Sequence, residues 1–388
     1  MTHAFDSLKV LDLTHVLAGP FCAYQFALLG ADVIKIEPPA NPDCARGRGP
    51  DAGLNAAGLG LTYQVQAANK RALALDLTQP RGRQILRQLA SQADVLIENF
   101  SNGSLDRLQL GADDLRKEWP SLIYCSITGY GDAGPRAQTG AYDNVIQAAS
   151  GVIAQSGGHK PGLSFVDYAT GYAAAFAISA ALVKRANTGV GSAISVSMLE
   201  TALSMMAPEA AALDFAAGPA KRREAGILSY ETAEGTLVLG AFTPAQYRKL
   251  GDCLTAIGIS IPPLSQCNDW PDVWDHSGEL EPALAAAFKT RRADDWVDIL
   301  HASDLPAERV QTLAEAIRAP QIDARDYFAA HPAARDIRLP LGPSRFSDGG
   351  PAIRRAPPRH GEHTDEILTG LGISRSDIAA LRAEGVVS

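Results

Sequence analysis

This sequence of 388 residues is first informative for what it lacks. Its five cysteines (Cys22, Cys44, Cys125, Cys253 and Cys267) are scattered, with no CxxC pair and no zinc-ligand spacing. Free thiols in a reducing compartment are therefore expected, not a disulfide framework. His360 and His363 stand close together, but no Cys or carboxylate cluster completes a site, so no metal is expected. Ser164 and Ser197 lack a nucleophile elbow. The turn after the first apolar run is Thr14-His15-Val16-Leu17-Ala18-Gly19-Pro20, without the glycines of GxGxxG. A pyrophosphate could not approach that backbone in the usual way, which argues against a nicotinamide site despite Glu37 at the end of the next strand.

Long uncharged apolar runs are scarce as well. The best candidate, after Asp167, carries many small residues and reads as a core helix, so no membrane span is expected. The first ten residues show no signal-peptide pattern, and a cytoplasmic location is expected. The formal net charge of −8 weighs against nucleic acid or anionic membrane as partners, though it leaves room for a local basic pocket. No internal repeat or low-complexity tract appears.

What is present reads as an ordinary globular protein, 46% hydrophobic and 20% charged, of about two to three domains. Lys9–Thr14 reads as a buried strand, Pro20–Leu29 as a helix stopped by Gly30, and Ala31–Glu37 as the next strand. Such a βαβ unit implies parallel pairing and a right-handed crossover. Strands at Ala72–Leu77, Asp94–Glu98 and Leu122–Thr128, with a helix at Arg81–Ala90, continue the alternation. The expected fold is a doubly wound α/β domain. Its ligand would lie beyond the strand ends at Thr14–Leu17, Glu98–Phe100 and Thr128–Tyr130. Pro38–Gly60, with Arg46 and Arg48, reads as a long surface loop. Arg46, Arg48, Arg71 and Arg107 are candidate phosphate partners.

From about Gly218 the texture turns polar and basic, and a smaller, less regular α+β domain is expected. It should hold a strand at Thr236–Ala241 and helices at Pro244–Gly258 and Trp296–Ala302. A helix at Ala314–Phe328 should be divided by Pro320. The expected division is 1–218 for the large domain, 219–330 for the small domain with its linkers, and 331–388 for a returning segment with short helices at Asp365–Leu371 and Ser374–Ala383.

The candidate chemistry lies in Leu163–Lys184. Ala173, Phe176, Ala177, Ala180 and Ala181 recur at helical spacing and predict a buried face. Asp167 stands at the helix entrance as the N-cap or its neighbour. Helix N–H groups there would favour its ionised form, and Gly171 would admit a close backbone or ligand. An ionised carboxylate with room in front of it can act as a nucleophile.

Several ordered blocks resemble the class III (CaiB/BaiF-type) CoA-transferase family. They are Leu11–Pro20, Leu29–Glu37, Asn69–Leu77, Ala93–Phe100, the loop Gly129–Pro135, Tyr142-Asp143-Asn144-Val145 and Gly361–Asp365. The resemblance implies a Rossmann-like large domain built from both chain ends, a small domain between them, and a homodimer of interlocked rings. It implies that an acyl-CoA passes its CoA to a small carboxylic acid, with no permanently bound cofactor. The nucleophile maps onto Asp167. CoA contacts map onto Val16, Leu17, Leu75, Asn99, Phe100, Ser101 and Arg107, with Tyr142 beside the thioester. Pro38 stands where formyl-CoA transferase-like members carry a basic residue, which implies that one phosphate contact is either missing or supplied by Arg46. The Gly-rich lid of those members is absent. The α-methylacyl-CoA racemase branch has a His where this chain has Tyr142, which favours transfer over racemisation.

Overall fold

The computed structural model describes residues 2–213 and 224–388. The chain divides into two compact units, Met1–Ala211 with Asp326–Ser388, and Ala212–Arg325. The expected boundary at 218/219 lies outside the described residues.

The larger unit runs β1 (Lys9–Asp12), α1 (Ala18–Leu28), β2 (Asp32–Glu37), β3 (Arg71–Ala74), α2 (Pro80–Ala90), β4 (Val95–Glu98), α3 (Ala112–Glu118), β5 (Ile123–Thr128), α4 (Asp143–Ala149), α5 (Phe165–Thr188), β6 (Ala193–Ser197) and α6 (Met198–Ser204). The six strands form one wholly parallel sheet in the order β3-β2-β1-β4-β5-β6. This is the expected mixed α/β architecture, with the order reversing between β1 and β4.

The strands are apolar almost throughout because both sheet faces are covered. Leu11, Ile34, Leu73 and Leu96 face one layer, packed with Ile85 and Leu89 of α2 and Leu115 of α3. Val10, Val33, Val95 and Ile123 face the other, packed with Cys22, Ala23 and Phe26 of α1 and Ala174, Ile178 and Ala181 of α5. The chain's end completes the first layer through Ile367, Leu368, Ile378 and Leu381.

Helix α5 differs from the expected stripe. Its buried residues include Thr170, Gly171, Ala174, Ile178 and Ala181, whereas Phe176 is 77% exposed. The alanines fit either face, so their spacing could not choose between them; Gly171 does. A Cβ there would lie 2.8 Å from the Ala18 carbonyl oxygen, so the glycine lets α5 close on α1. Helix α5 is also long and apolar enough, by length and composition alone, to cross a membrane.

The helical stretch that follows β6 is two pieces. After α6 a second helix, α7 (Ala207–Ala212), starts with Pro208 in its first turn, where the missing N–H is tolerated.

The smaller unit contains β7 (Ser229–Glu231), β8 (Thr236–Leu239), α8 (Pro244–Ala256), α9 (Trp270–Phe288), α10 (Ala293–Ala302) and β9 (Ala307–Arg309). Its three strands pair antiparallel in the order β7-β8-β9. A capping box of Thr243 and Gln246 opens α8, and the Asp269 side chain caps α9. Trp296, Phe288, Tyr247 and Leu284 lie in this unit's core.

The helix expected at Ala314–Phe328 is reduced to single turns at Leu313–Ala316 and Pro320–Asp323. Phe328 instead begins β10 (Phe328–His331), paired antiparallel with β11 (Ala334–Pro340) in the larger unit. Two helices, α11 (Thr364–Gly370) and α12 (Arg375–Ala383), finish the chain.

Candidate active site

A cavity of about 500 Å³ opens beyond the carboxyl ends of β1, β4 and β5. It is lined by His15, Val16, Leu17, Asn99, Phe100, Ser101, Thr128, Tyr142, Asp167 and Met198, among others. Of the nine expected site residues, seven line it and two do not. Asp167, Val16, Leu17, Asn99, Phe100, Ser101 and Tyr142 share this wall. Leu75 does not: it is 1% exposed and packs in the apolar layer below. The ninth, Arg107, is exposed in a one-turn helix, and its Nη2 donates to Ser104 Oγ at 3.2 Å. Ser104 lines the cavity, whereas Arg107 is not part of its lining.

The loop after β1 is held from beneath by buried charge. Val16 has φ +71°, a conformation costly for a β-branched residue. Both oxygens of Asp43 accept the Val16 N–H, at 3.0 and 3.2 Å, and Gln66 Nε2 donates to the Val16 carbonyl at 2.6 Å. Lys35 Nζ lies 3.7 Å from Asp43 and 4.0 Å from Asp12. Lys70 Nζ lies 2.8 Å from Asp12. Burial pushes the Asp12 carboxyl up, but Lys35 and Lys70 outweigh it and bring it down to about 2. From β4, Asn99 Oδ1 accepts the His15 N–H at 3.0 Å, and its Nδ2 donates to the His15 carbonyl at 2.9 Å. Burial, then Lys35, lowers the His15 pKa and favours the neutral ring.

Arg46 belongs to this buried cluster and does not take the role expected for it. It is 3% exposed. Its Nε and Nη2 donate to the two Glu37 oxygens at 2.8 and 2.6 Å, Nη2 also to Tyr63 Oη at 2.8 Å, and Nη1 to the Pro358 carbonyl at 3.1 Å. A guanidinium committed on every side cannot replace a phosphate contact at Pro38. Arg71 is likewise engaged, with Asp32 at 2.5 Å and Glu366 at 2.9 Å.

Asp167 lies in the first turn of α5, three residues past the N-cap Ser164, so it is not itself the cap. The helix start does not favour its charge as the sequence suggested. Asp143 Oδ2 accepts the N–H groups of Val166 and Asp167, at 2.9 and 3.1 Å. These amides are therefore not free to bind an oxyanion. Among the described residues no donor is hydrogen-bonded to the Asp167 carboxyl. Burial, and then the charge of Asp143, push Asp167 up to about 7. The result is a carboxyl group facing a cavity, without a protein partner, that ionises near neutrality.

Asp143 is the main residue that sequence reasoning left without a role. Its place beside Tyr142 was visible, but nothing in the spacing announced that it would reach across to α5. Asp43 was hidden in a Pro-rich loop that reads as surface. Asn102 was also missed: its Nδ2 donates to the carbonyls of Gly131 and Ala137, at 2.9 and 2.6 Å, and so ties the glycine-rich loop to the cavity wall.

Comparison with known proteins agrees with this architecture. The model of CoA-transferase family III matches residues 5–364, and the chain belongs to that family. It is 31% identical to the succinyl-CoA:glutarate CoA-transferase of Homo sapiens over 389 residues, covering 94% of this chain and 85% of that protein. It is 30% identical to the α-methylacyl-CoA racemase of Homo sapiens over 408 residues, covering 99% and 97%. A crystal structure of a CaiB/BaiF family protein from Brucella suis superposes with a TM-score of 0.81 at 29% identity, covering 96% of this chain and all of that one. The protein is a CoA-transferase, of a family that uses CoA thioesters as substrates.

Proposed function

We propose that this enzyme moves CoA from an acyl-CoA to a small carboxylic acid by covalent relay through Asp167. One observation carries the reading: a carboxyl without a protein donor, raised to about 7, on the wall of a cavity at the sheet's carboxyl edge. The ionised Asp167 Oδ attacks the thioester carbonyl, the C–S bond breaks, and an aspartyl–acyl anhydride and CoA thiolate form. The thiolate attacks the aspartyl carbonyl and expels the donor acid, leaving an aspartyl-CoA thioester. The acceptor carboxylate attacks that thioester, giving a second anhydride and thiolate. Attack of the thiolate on the acceptor's acyl carbon regenerates Asp167. No net proton is consumed, and each step exchanges one acyl leaving group for another.

In this reading Val16, Leu17, Asn99, Phe100 and Ser101 flank the CoA, Tyr142 flanks the thioester, and Arg107 is a further phosphate contact outside the cavity lining, while Leu75, 1% exposed, offers the CoA no surface. The working form is a cytoplasmic homodimer of interlocked rings. Five free cysteines accord with a reducing compartment. The large domain is 1–218 with the returning segment 326–388, and the small domain is 219–325. The human relative makes succinyl-CoA and glutarate the first pair to assay.

Asp167→Ala should lower exchange at least about 10³-fold while CoA still binds by calorimetry. Hydroxylamine should trap an adduct on Asp167 only in the wild type. Retained exchange in the variant would refute the reading.

The likeness to the racemase supports an alternative, proton exchange at the α-carbon. Incorporation of deuterium from D2O into a chiral 2-methylacyl-CoA, without CoA exchange, would favour that activity.

A further inference from the structure

The helix that carries Asp167 has no cap of its own, since Ser164 makes no side-chain hydrogen bond to it. A helix start leaves its first N–H groups unpaired. Here the partner comes from another element. Asp143, the first residue of α4, is 5% exposed, and its Oδ2 takes the N–H groups of Val166 and Asp167. Its Oδ1 accepts from the side-chain amide of Gln147, one turn along α4. The same amide donates to the Leu163 carbonyl at 3.0 Å. Two side chains of one short helix thus grip the backbone just before and just inside the start of α5.

We propose that Asp143 is a positioning residue for the transfer reaction: its carboxylate fixes the backbone of Val166 and Asp167 so that the Asp167 carboxyl stays on the cavity wall. This rests on Asp167 being the nucleophile. Asp143 also occupies the amides that would otherwise stabilise the Asp167 carboxylate, and it sets a like charge beside it. A carboxylate stripped of donors is more basic and more nucleophilic. The other groups around Asp167 do not offset this. Tyr168 follows it on α5, Tyr142 and His15 line the same cavity, and among the described residues no Lys or Arg lines it. Burial and Asp143 are the causes that raise Asp167.

Two substitutions separate the two effects. Asp143→Asn keeps an acceptor oxygen and removes the charge. Asp143→Glu keeps the charge and displaces the oxygens from the two amides. Exchange between succinyl-CoA and glutarate, or the best pair from a donor–acceptor panel, is followed from pH 5 to 9. In Asp143→Asn the acid limb of kcat/KM should move down by about one pH unit or more. In Asp143→Glu the limb should hold while kcat falls about tenfold or more. In both, KM for the acyl-CoA should stay within about twofold.

A readout independent of substrate is the unfolding free energy of each protein relative to its own Asp167→Asn partner, across the same pH range. That pH-dependent difference should fall by about half or more in the Asp143→Asn background. An unmoved limb together with an unchanged difference would overturn the proposal. So would a rise in KM that accounts for the whole loss of kcat/KM. If Asp143→Asn does not fold, the Asp143→Glu kinetics decide alone: unchanged kcat overturns it. Should Asp167→Ala retain exchange, the nucleophile assignment itself falls. Should Asp167→Ala be inactive while the Asp143 variants match the wild type, only this proposal does.

Discussion

Two groups of carboxylates near the sheet's carboxyl edge are treated in opposite ways. Beneath the loop after β1, Asp12, Glu37 and Asp43 meet Lys35, Lys70 and Arg46, all with at most 5% of their surface exposed. Each buried charge has an opposite neighbour, and Asp12 is held down to about 2. At the start of α5, Asp143 and Asp167 meet each other with no cation between them among the described residues, and Asp167 is pushed up to about 7. Burial alone raises a carboxyl in both places; the sign of the nearest charge decides the outcome. The compensated group makes a rigid floor for the cavity. The uncompensated pair makes a carboxyl that can change its bonding partner.

The largest stability effect should come from breaking the compensated side. Lys70 Nζ bonds Asp12 Oδ2 and the Pro20 carbonyl, each at 2.8 Å. Lys70→Met fills similar volume but leaves Asp12 with a single, more distant cation. Removing one partner of a buried pair costs about 3–5 kcal/mol. Urea unfolding at pH 7 should record a loss of that size, and a loss under about 1 kcal/mol would mean the cluster is better solvated than its burial indicates.

Breaking the uncompensated side should have the opposite sign. The folded pKa of Asp167 lies above its unfolded value, so its contribution is fully present below about pH 4 and is lost as pH rises through about 7. Asp167→Asn should therefore leave stability unchanged near pH 4 and raise it above pH 7. The full shift would correspond to about 4 kcal/mol; for a half-buried group facing a cavity, screening reduces this to about 2 kcal/mol. Thermal or urea unfolding of the two proteins at pH 4.5 and 8 reads this directly. Equal stability at both pH values would show that the unfavourable charge is relieved elsewhere.

This contrast marks what could be read in the sequence. The parallel sheet was legible, because its strands are buried on both faces and appear as short apolar runs between helical patterns. The family blocks carried part of the cavity wall, His15 to Ala18, Asn99, Phe100, Gly129, Tyr142 and Val145, while Asp167 lies outside every block and came only from the role the resemblance implies. The face buried by α5 was not legible, because alanine satisfies either side and only close packing at Gly171 selects one. Arg46 read as a surface charge because nothing local reveals that Glu37, Tyr63 and Pro358 converge on it. Asp143 acts on a residue 24 positions away, and no helical or strand period encodes that contact. The helix expected to reach Phe328 stops short of it, because the strand that begins at Phe328 depends on pairing with Leu339 and Pro340, which no local period encodes.

The smallest effect tests whether the charged floor holds the loop above it against its own preference. Val16 sits at φ +71°, fixed through its N–H by Asp43 and through its carbonyl by Gln66. A branched residue held there costs about 1–3 kcal/mol, which glycine would not pay. Glycine in turn forfeits the packing of a partly buried side chain and gains freedom in the unfolded chain, together of similar size. Val16→Gly should accordingly change stability by less than about 1 kcal/mol, where a valine in ordinary extended backbone would lose considerably more. Guanidinium unfolding of Val16→Gly and Val16→Ala separates the contributions: alanine loses the packing while keeping the strain, so it should be the less stable of the two. If glycine is the less stable variant, the left-handed turn is not held against strain, and Asp43 caps a conformation the loop adopts unaided.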